Sequence, residues 1–184
     1  MVCIRVGVSA CLLGDAVRYD GGHKRAEVVC EVLARLFELV PVCPEVAAGL
    51  GVPRPPVRLV KMGENIRVVG AENDSLDVTE SLIGQSRALV SRLDGVCGFV
   101  LKSRSPSCGV TGVPVFPGGG QGAGFAGMGV FVRVLRQTFP DLPLIEETEL
   151  DDAVLLEDFV RRVREYHRRT AEHRAPLSSL DKSQ

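Results

Sequence analysis

Three short apolar runs, Val2–Ala10, Glu38–Cys43 and Cys97–Leu101, are largely continuous rather than alternating; the first is ended by Cys11, Gly14 and Asp15, the second is cut off by Pro44, and the third feeds the polar loop KSRSPSCGV. Strands buried on both faces read in this way. Between the first two runs, Lys24–Phe37 places Val28, Val29, Val32, Leu33, Leu36 and Phe37 at helical spacing. Ser75–Asp94 predicts a second helix, with Asp77 and Glu80 near its positive end. Beyond the third run the pattern predicts a helix over Gly129–Phe139, a strand over Leu142–Ile145 and a long helix over Leu150–Arg174. Pro53, Pro55 and Pro56 forbid regular structure where they stand, while Val57–Val60 and Ile66–Val69 flank a KMGEN turn and read as a hairpin. Strands alternating with helices favour a parallel sheet. The expected fold is therefore a single Rossmann-like α/β domain: a mainly parallel sheet with helices on both faces, plus a small β-hairpin.

At 184 residues, 45% hydrophobic and 24% charged, the chain has an ordinary globular composition and enough length for one core. Residues 1–174 are expected to form that domain, and residues 175–184, APLSSLDKSQ, to be a disordered tail. A formal net charge of −1 gives no global attraction to nucleic acid or to a membrane surface. No apolar run approaches the roughly 18 residues that a membrane span needs. The apolar first residues carry Arg5 and no basic leader, so no secretory signal is expected and the cytoplasm is the expected location. There, six cysteines read as thiols or metal ligands rather than disulfides.

The cysteines divide into two sets. Cys11 follows the first run in SACLLG, Cys43 closes the second in PVCPE, and Cys108 lies in KSRSPSCGV after the third. The carboxyl ends of parallel strands share one edge of the sheet, where ligands bind. Three thiolates meeting there suit an iron–sulfur cluster with one iron unprotected, or a zinc with an open position. Spacing alone does not choose between these and three unrelated loop cysteines. Cys3 and Cys97 fall within predicted strands and Cys30 within a predicted helix, as small buried hydrophobes do.

SACLLG, RYDGG, PVCPEVAAGLGVPRPP and LKSRSPSCG, in that order, closely resemble the thiouracil desulfidase family, and the resemblance runs from about Val2 to Glu147. It implies an enzyme with a 4Fe-4S cluster held by Cys11, Cys43 and Cys108. The fourth iron is left open for the thiocarbonyl sulfur of a thiolated pyrimidine, which water then replaces. The implied substrate is thiouracil or a thiolated uridine, as a free base, a nucleoside or a position in tRNA. Water is a weak nucleophile and needs a base, for which Glu45, two residues from a ligand cysteine, is the candidate. Its structural alternative is a carboxylate at the start of a helix. Ser103, Ser105 and Ser107 supply hydroxyls that donate and accept hydrogen bonds. Ser105 and Ser103 are read as catalytic, and Ser107 as touching substrate. Lys102 offsets cluster or substrate charge. Tyr19 is placed to stack on a pyrimidine ring, with Arg18 and Asp20 beside it as substrate contacts or as a loop-bracing ion pair.

Other motifs weigh less. Gly122–Gly127 spells GAGFAG, but no strand directly precedes it, so it reads as a flexible flap rather than a dinucleotide loop. A metal-free cysteine hydrolase would need a histidine base, and His23 alone lies outside the last helix. A non-catalytic protein that binds zinc, iron–sulfur or sulfide is a further alternative. The run of arginines from Arg161 to Arg174, threaded with Glu157 and Glu165, reads as a solvated face rather than an RNA surface.

Overall fold

The computed structural model describes residues 3–118 and 124–174. In chain order the strands are β1 (Arg5–Ser9), β2 (Glu38–Val42), β3 (Val57–Met62), β4 (Asn65–Gly70), β5 (Val96–Leu101), β6 (Val113–Pro117), β7 (Phe125–Gly127) and β8 (Leu144–Glu146). Helix α1 opens as a π-type stretch over Val28–Leu33 and closes as an α turn over Ala34–Leu36. It is followed by α2 (Pro44–Ala47), α3 (Thr79–Val90), α4 (Val130–Thr138) and α5 (Ala153–Arg174). The predicted helices and strands are present, most of them shorter at their ends.

Strands β2, β1, β5 and β8 lie side by side in that order, every pair parallel. Side chains alternate between the two faces of such a sheet. On one face Val6 and Val8 of β1 pack with Val29 and Leu33 of α1 and with Phe159 and Val163 of α5. On the other, Phe99 and Leu101 of β5 pack with Val90 of α3 and with Phe131 and Leu135 of α4. Phe99 and Phe131 meet edge to face, centroids 5.4 Å apart and rings inclined by 70°. The connection from β1 to β2 runs through α1 on the first face, and that from β5 to β8 through α4 on the second. The strand order therefore reverses direction beside β1, where a crevice opens in folds of this type.

The hairpin is part of something larger. β3 and β4 pair antiparallel as expected, but β3 also pairs parallel with β6, and β6 antiparallel with β7, giving a second, mixed sheet in the order β4, β3, β6, β7. Leu59, Val68, Val113 and Val115 of this sheet pack on Leu82 of α3. Pro114 and Pro117 conceal β6 in the sequence, because proline lacks the N–H that a central strand uses. Part of the predicted flap is strand β7, and Gly124 explains why glycine is needed there: a Cβ would lie 1.4 Å from the Val115 carbonyl oxygen. Residues 119–123 and the predicted tail, 175–184, lie outside the described residues.

Cys3 departs from expectation, being exposed ahead of β1 rather than buried in it. Cys97 is buried in β5, its sulfur 3.5 Å from Nδ1 of His167. On α5, Arg161 binds Asp158 and Glu165, and Arg162 binds Asp158 at 2.8 Å, as a solvated, self-paired face should. No helix among the described residues is long and apolar enough to cross a membrane.

Phe131→Ala is expected to lower unfolding free energy by about 3–5 kcal/mol, as loss of a fully buried aromatic does. Urea denaturation checks this, and a loss below about 0.5 kcal/mol, the scale of a surface change, would contradict the packing described.

Candidate active site

Register brings the site together. Ser9 stands opposite Val42, Val8 opposite Val100, and Leu101 opposite Glu146, so β1, β2, β5 and β8 end along one edge. The residues immediately after each strand must then be neighbours. After β1 the chain enters a tight 3-10 turn, Ala10–Leu13, that carries Cys11. After β2, Cys43 precedes Pro44 and Glu45 in the first turn of α2. After β5 comes the loop from Lys102 to Thr111, and after β8 comes Glu147. A cavity of about 430 Å³ opens along this edge, lined among others by Cys11, Cys43, Cys108, Glu45, Arg54 and Ser105. Its volume lies within the range of small-molecule sites.

Cys108 is held by a loop whose backbone is satisfied by Ser105 within it and by Ser9, Glu146 and Glu147 from neighbouring elements. Lys102 N–H donates to Ser9 Oγ at 3.0 Å, and Ser103 N–H to Glu147 Oε2 at 2.6 Å. Ser105 Oγ accepts from the N–H groups of Ser107 and Cys108 at 3.2 and 3.1 Å. Glu146 Oε1 accepts from Val110 N–H at 2.7 Å and from Thr111 N–H at 3.3 Å. The loop's carbonyls are used as well: those of Pro106, Ser107 and Gly109 accept from Val130, Phe131 and Gly129 N–H at 3.0, 3.0 and 2.8 Å. These are the free donors at the start of α4. The approach is so close that a Cβ on Gly129 would stand 2.4 Å from the Ser107 carbonyl oxygen.

The three thiols are near enough to influence one another. Burial pushes the Cys11 thiol up to about 11, and the adjacent Cys43 adds to the shift. Burial raises Cys43 too, aided by the charge of Glu45. Cys108 is raised most by burial, and further by Glu45, Cys43 and Cys11. Buried thiols without a strong cationic partner stay protonated until a metal displaces the proton. Among the described residues, no three His, Cys, Asp or Glu side chains gather closely enough for a single ion. A cubane spreads its cysteine sulfurs more widely than a lone tetrahedral zinc does. Among the described residues lining the cavity, none is histidine.

Glu45 is clamped at both carboxylate oxygens. Arg54 Nε and one terminal nitrogen reach its Oε2 at 3.0 and 2.8 Å, and Ser107 Oγ donates to Oε1 at 2.7 Å. The Arg54 and Glu45 side chains are only 4% and 13% exposed, so this ion pair is far from a surface contact. Ser107 is absent from the cavity lining, its hydroxyl turned to Glu45. Ser103 Oγ donates to Glu147 at 2.8 Å and accepts from Lys102 Nζ at 2.9 Å, and Lys102 also binds Glu147 directly. Tyr19, 42% exposed, stands at the mouth with Arg18 over its ring at 5.2 Å. Asp20 lies outside the cavity lining, 3.4 Å from Arg18 Nε, and also caps Gly22 N–H.

Arg54, Glu147, Glu146 and Ser9 are partners that the sequence did not point out. Arg54 sits in VPRPP, where a cation fixed between prolines is itself a signal. Glu147 follows β8 at the same sheet edge as the cysteine loops, which the strand order alone could have indicated.

The arrangement defines a class: an α/β protein with three thiols and a clamped carboxylate in one cavity at the carboxyl edge of a parallel sheet. Residues 6–147 match the 2-thiouracil desulfurase family, and the chain belongs to it. A relative from Bacillus subtilis (strain 168), the uncharacterized protein YbbK, is 31% identical over 153 residues, covering 79% of this chain and 97% of that protein. A solved structure described as a 4Fe-4S-dependent thiouracil desulfidase, TudS, superposes with a TM-score of 0.66 at 33% identity. The match covers 84% of this chain and 97% of the other.

Arg54→Ala is expected to destabilise the fold by about 3–5 kcal/mol, because it strands a buried carboxylate. The pair Arg54→Met with Glu45→Leu should recover most of that loss. Urea midpoints of the variants decide it: an Arg54→Ala protein as stable as the parent would show that the ion pair carries no such weight.

Proposed function

We propose that this chain is a desulfidase that converts the thiocarbonyl of thiouracil or a thiolated uridine to a carbonyl. Water adds to the ring carbon, the carbon–sulfur bond breaks, and sulfide leaves with no net redox change. The observation that carries this reading is the meeting of Cys11, Cys43 and Cys108 with the clamped Glu45 in one cavity of a chain belonging to this family. The donor set fits a 4Fe-4S cluster: the buried thiols of Cys11 and Cys108 and the half-buried thiol of Cys43 would hold three irons and leave one without a protein ligand. When bound, that cluster supplies a thiophilic Lewis acid that favours C=S over C=O.

The chain's own residues supply the rest. Glu45 takes a proton from the attacking water, while Arg54 and Ser107 fix its carboxylate in place. Ser105 uses its oxygen to accept two backbone N–H groups, which leaves its O–H directed to substrate or water in the cavity. Ser103 and Lys102, joined through Glu147, form the wall beneath that loop, and the Lys102 ammonium offsets charge near Cys11. Tyr19 stacks on the pyrimidine at the mouth, oriented by Arg18, with Asp20 bracing their turn. Reduced thiols of this kind suit the cytoplasm.

Anaerobically reconstituted protein is expected to be brown with about four irons, the content of a cubane. Cys43→Ala should lose colour and turnover together. Glu45→Gln should keep its colour and lose about 10²–10⁴-fold in kcat, the contribution of a general base. An active, iron-free wild type would overturn the cluster assignment. A Glu45→Gln variant turning over at the parent rate would remove the base.

A further inference from the structure

Two adjacent carboxylates at the end of β8 hold opposite limbs of the Cys108 loop. Glu147 takes the entering limb, with Oε2 on Ser103 N–H at 2.6 Å and Oε1 on Ser103 Oγ at 2.8 Å and on Lys102 Nζ. Glu146 takes the leaving limb, with Oε1 on Val110 N–H at 2.7 Å and on Thr111 N–H at 3.3 Å. Neighbours along an extended chain point in opposite directions. Glu146 and Glu147, at the junction of β8 and a 3-10 turn, therefore reach to either side of one loop. The Glu146 residue is 9% exposed and the Glu147 side chain 13%.

Both carboxylates face strong donors and neither faces open solvent. Hydrogen bonds to ionised acceptors are among the strongest available to a loop backbone. Glu146 is anchored in turn: its own N–H donates to Glu149 Oε2 at 2.8 Å, and Glu149 completes a reciprocal cap on the turn. The brace thus begins in the rigid sheet, where Glu146 stands opposite Leu101, the residue from which the loop departs.

We infer that Glu146 and Glu147 are positioning residues that set the place of the Cys108 thiol, and through it the retention of a cluster held by Cys11, Cys43 and Cys108. This rests on the proposed cluster. The two carboxylates touch no reacting atom. Outer contacts that orient a metal ligand change affinity or activity by about 10–100-fold when removed. The effect expected of each residue is local: Glu146 governs the amides of Val110 and Thr111, and Glu147 governs that of Ser103.

The test compares wild type, Glu146→Gln and Glu147→Gln by amide hydrogen exchange of the apo protein, and by release of iron from the reconstituted protein to a colorimetric chelator. Each variant should exchange its own limb faster and leave the opposite limb near the parent rate. Each should also release iron about 10-fold faster or more, with Glu147→Asp recovering part of the loss. Local exchange unchanged in both variants overturns the brace. Faster exchange with iron release at the parent rate overturns its link to the cluster. A wild type that takes up no iron fails the cluster reading, and with it that link; the exchange arm still decides whether the carboxylates hold the loop. Should Glu146→Gln fail to fold, Glu147→Gln carries the same pair of readouts.

Discussion

Parallel register is the constraint on which the site depends. Because Ser9 pairs with Val42 and Leu101 with Glu146, four strands end together, and the residues after each strand are delivered to one place however distant in sequence. Cys11, Cys43 and Cys108 are far apart along the chain and become neighbours only through that shared edge. The tight turn after β1 and the proline after Cys43 keep the cysteine loops short. A short loop on a rigid strand loses little entropy when it holds a ligand geometry.

The loop from Lys102 to Thr111 solves a harder problem, since it carries a buried thiol and almost no regular structure. Buried backbone groups without partners would cost on the order of 1–3 kcal/mol each. Here a different device serves each stretch: Glu147 and Ser9 at the start, Ser105 in the middle, Glu146 at the end, and the N-terminus of α4 for the carbonyls. The three serines of this loop are explained by three separate tasks. Ser103 joins Glu147, Ser105 folds the loop on itself, and Ser107 steadies Glu45.

Much of this was legible in the sequence, and for physical reasons. Continuous apolar runs separated by helical spacing gave away the parallel sheet, and the family motifs contain the three cysteines and Glu45 that the fold brings to one cavity. The second sheet was hidden because β6 contains Pro114 and Pro117, and β7 is only Phe125–Gly127 within a glycine-rich stretch. The partners Arg54 and Glu147 were hidden because an ion pair is a tertiary fact. Nothing local in the sequence states that Arg54 lies over Glu45, or that Glu147 meets Lys102. Asp20 and Ser107, beside the motifs, lie outside the cavity lining, where Asp20 accepts a loop amide and Ser107 donates to Glu45.

Iron-edge anomalous diffraction from anaerobically grown crystals of the reconstituted protein would locate any metal held by the three cysteines. A compact group of iron peaks is expected, bounded by the sulfurs of Cys11, Cys43 and Cys108, with one iron facing Glu45 and bearing no protein ligand. Iron found elsewhere, or a fourth side chain closing that last position, would contradict that arrangement.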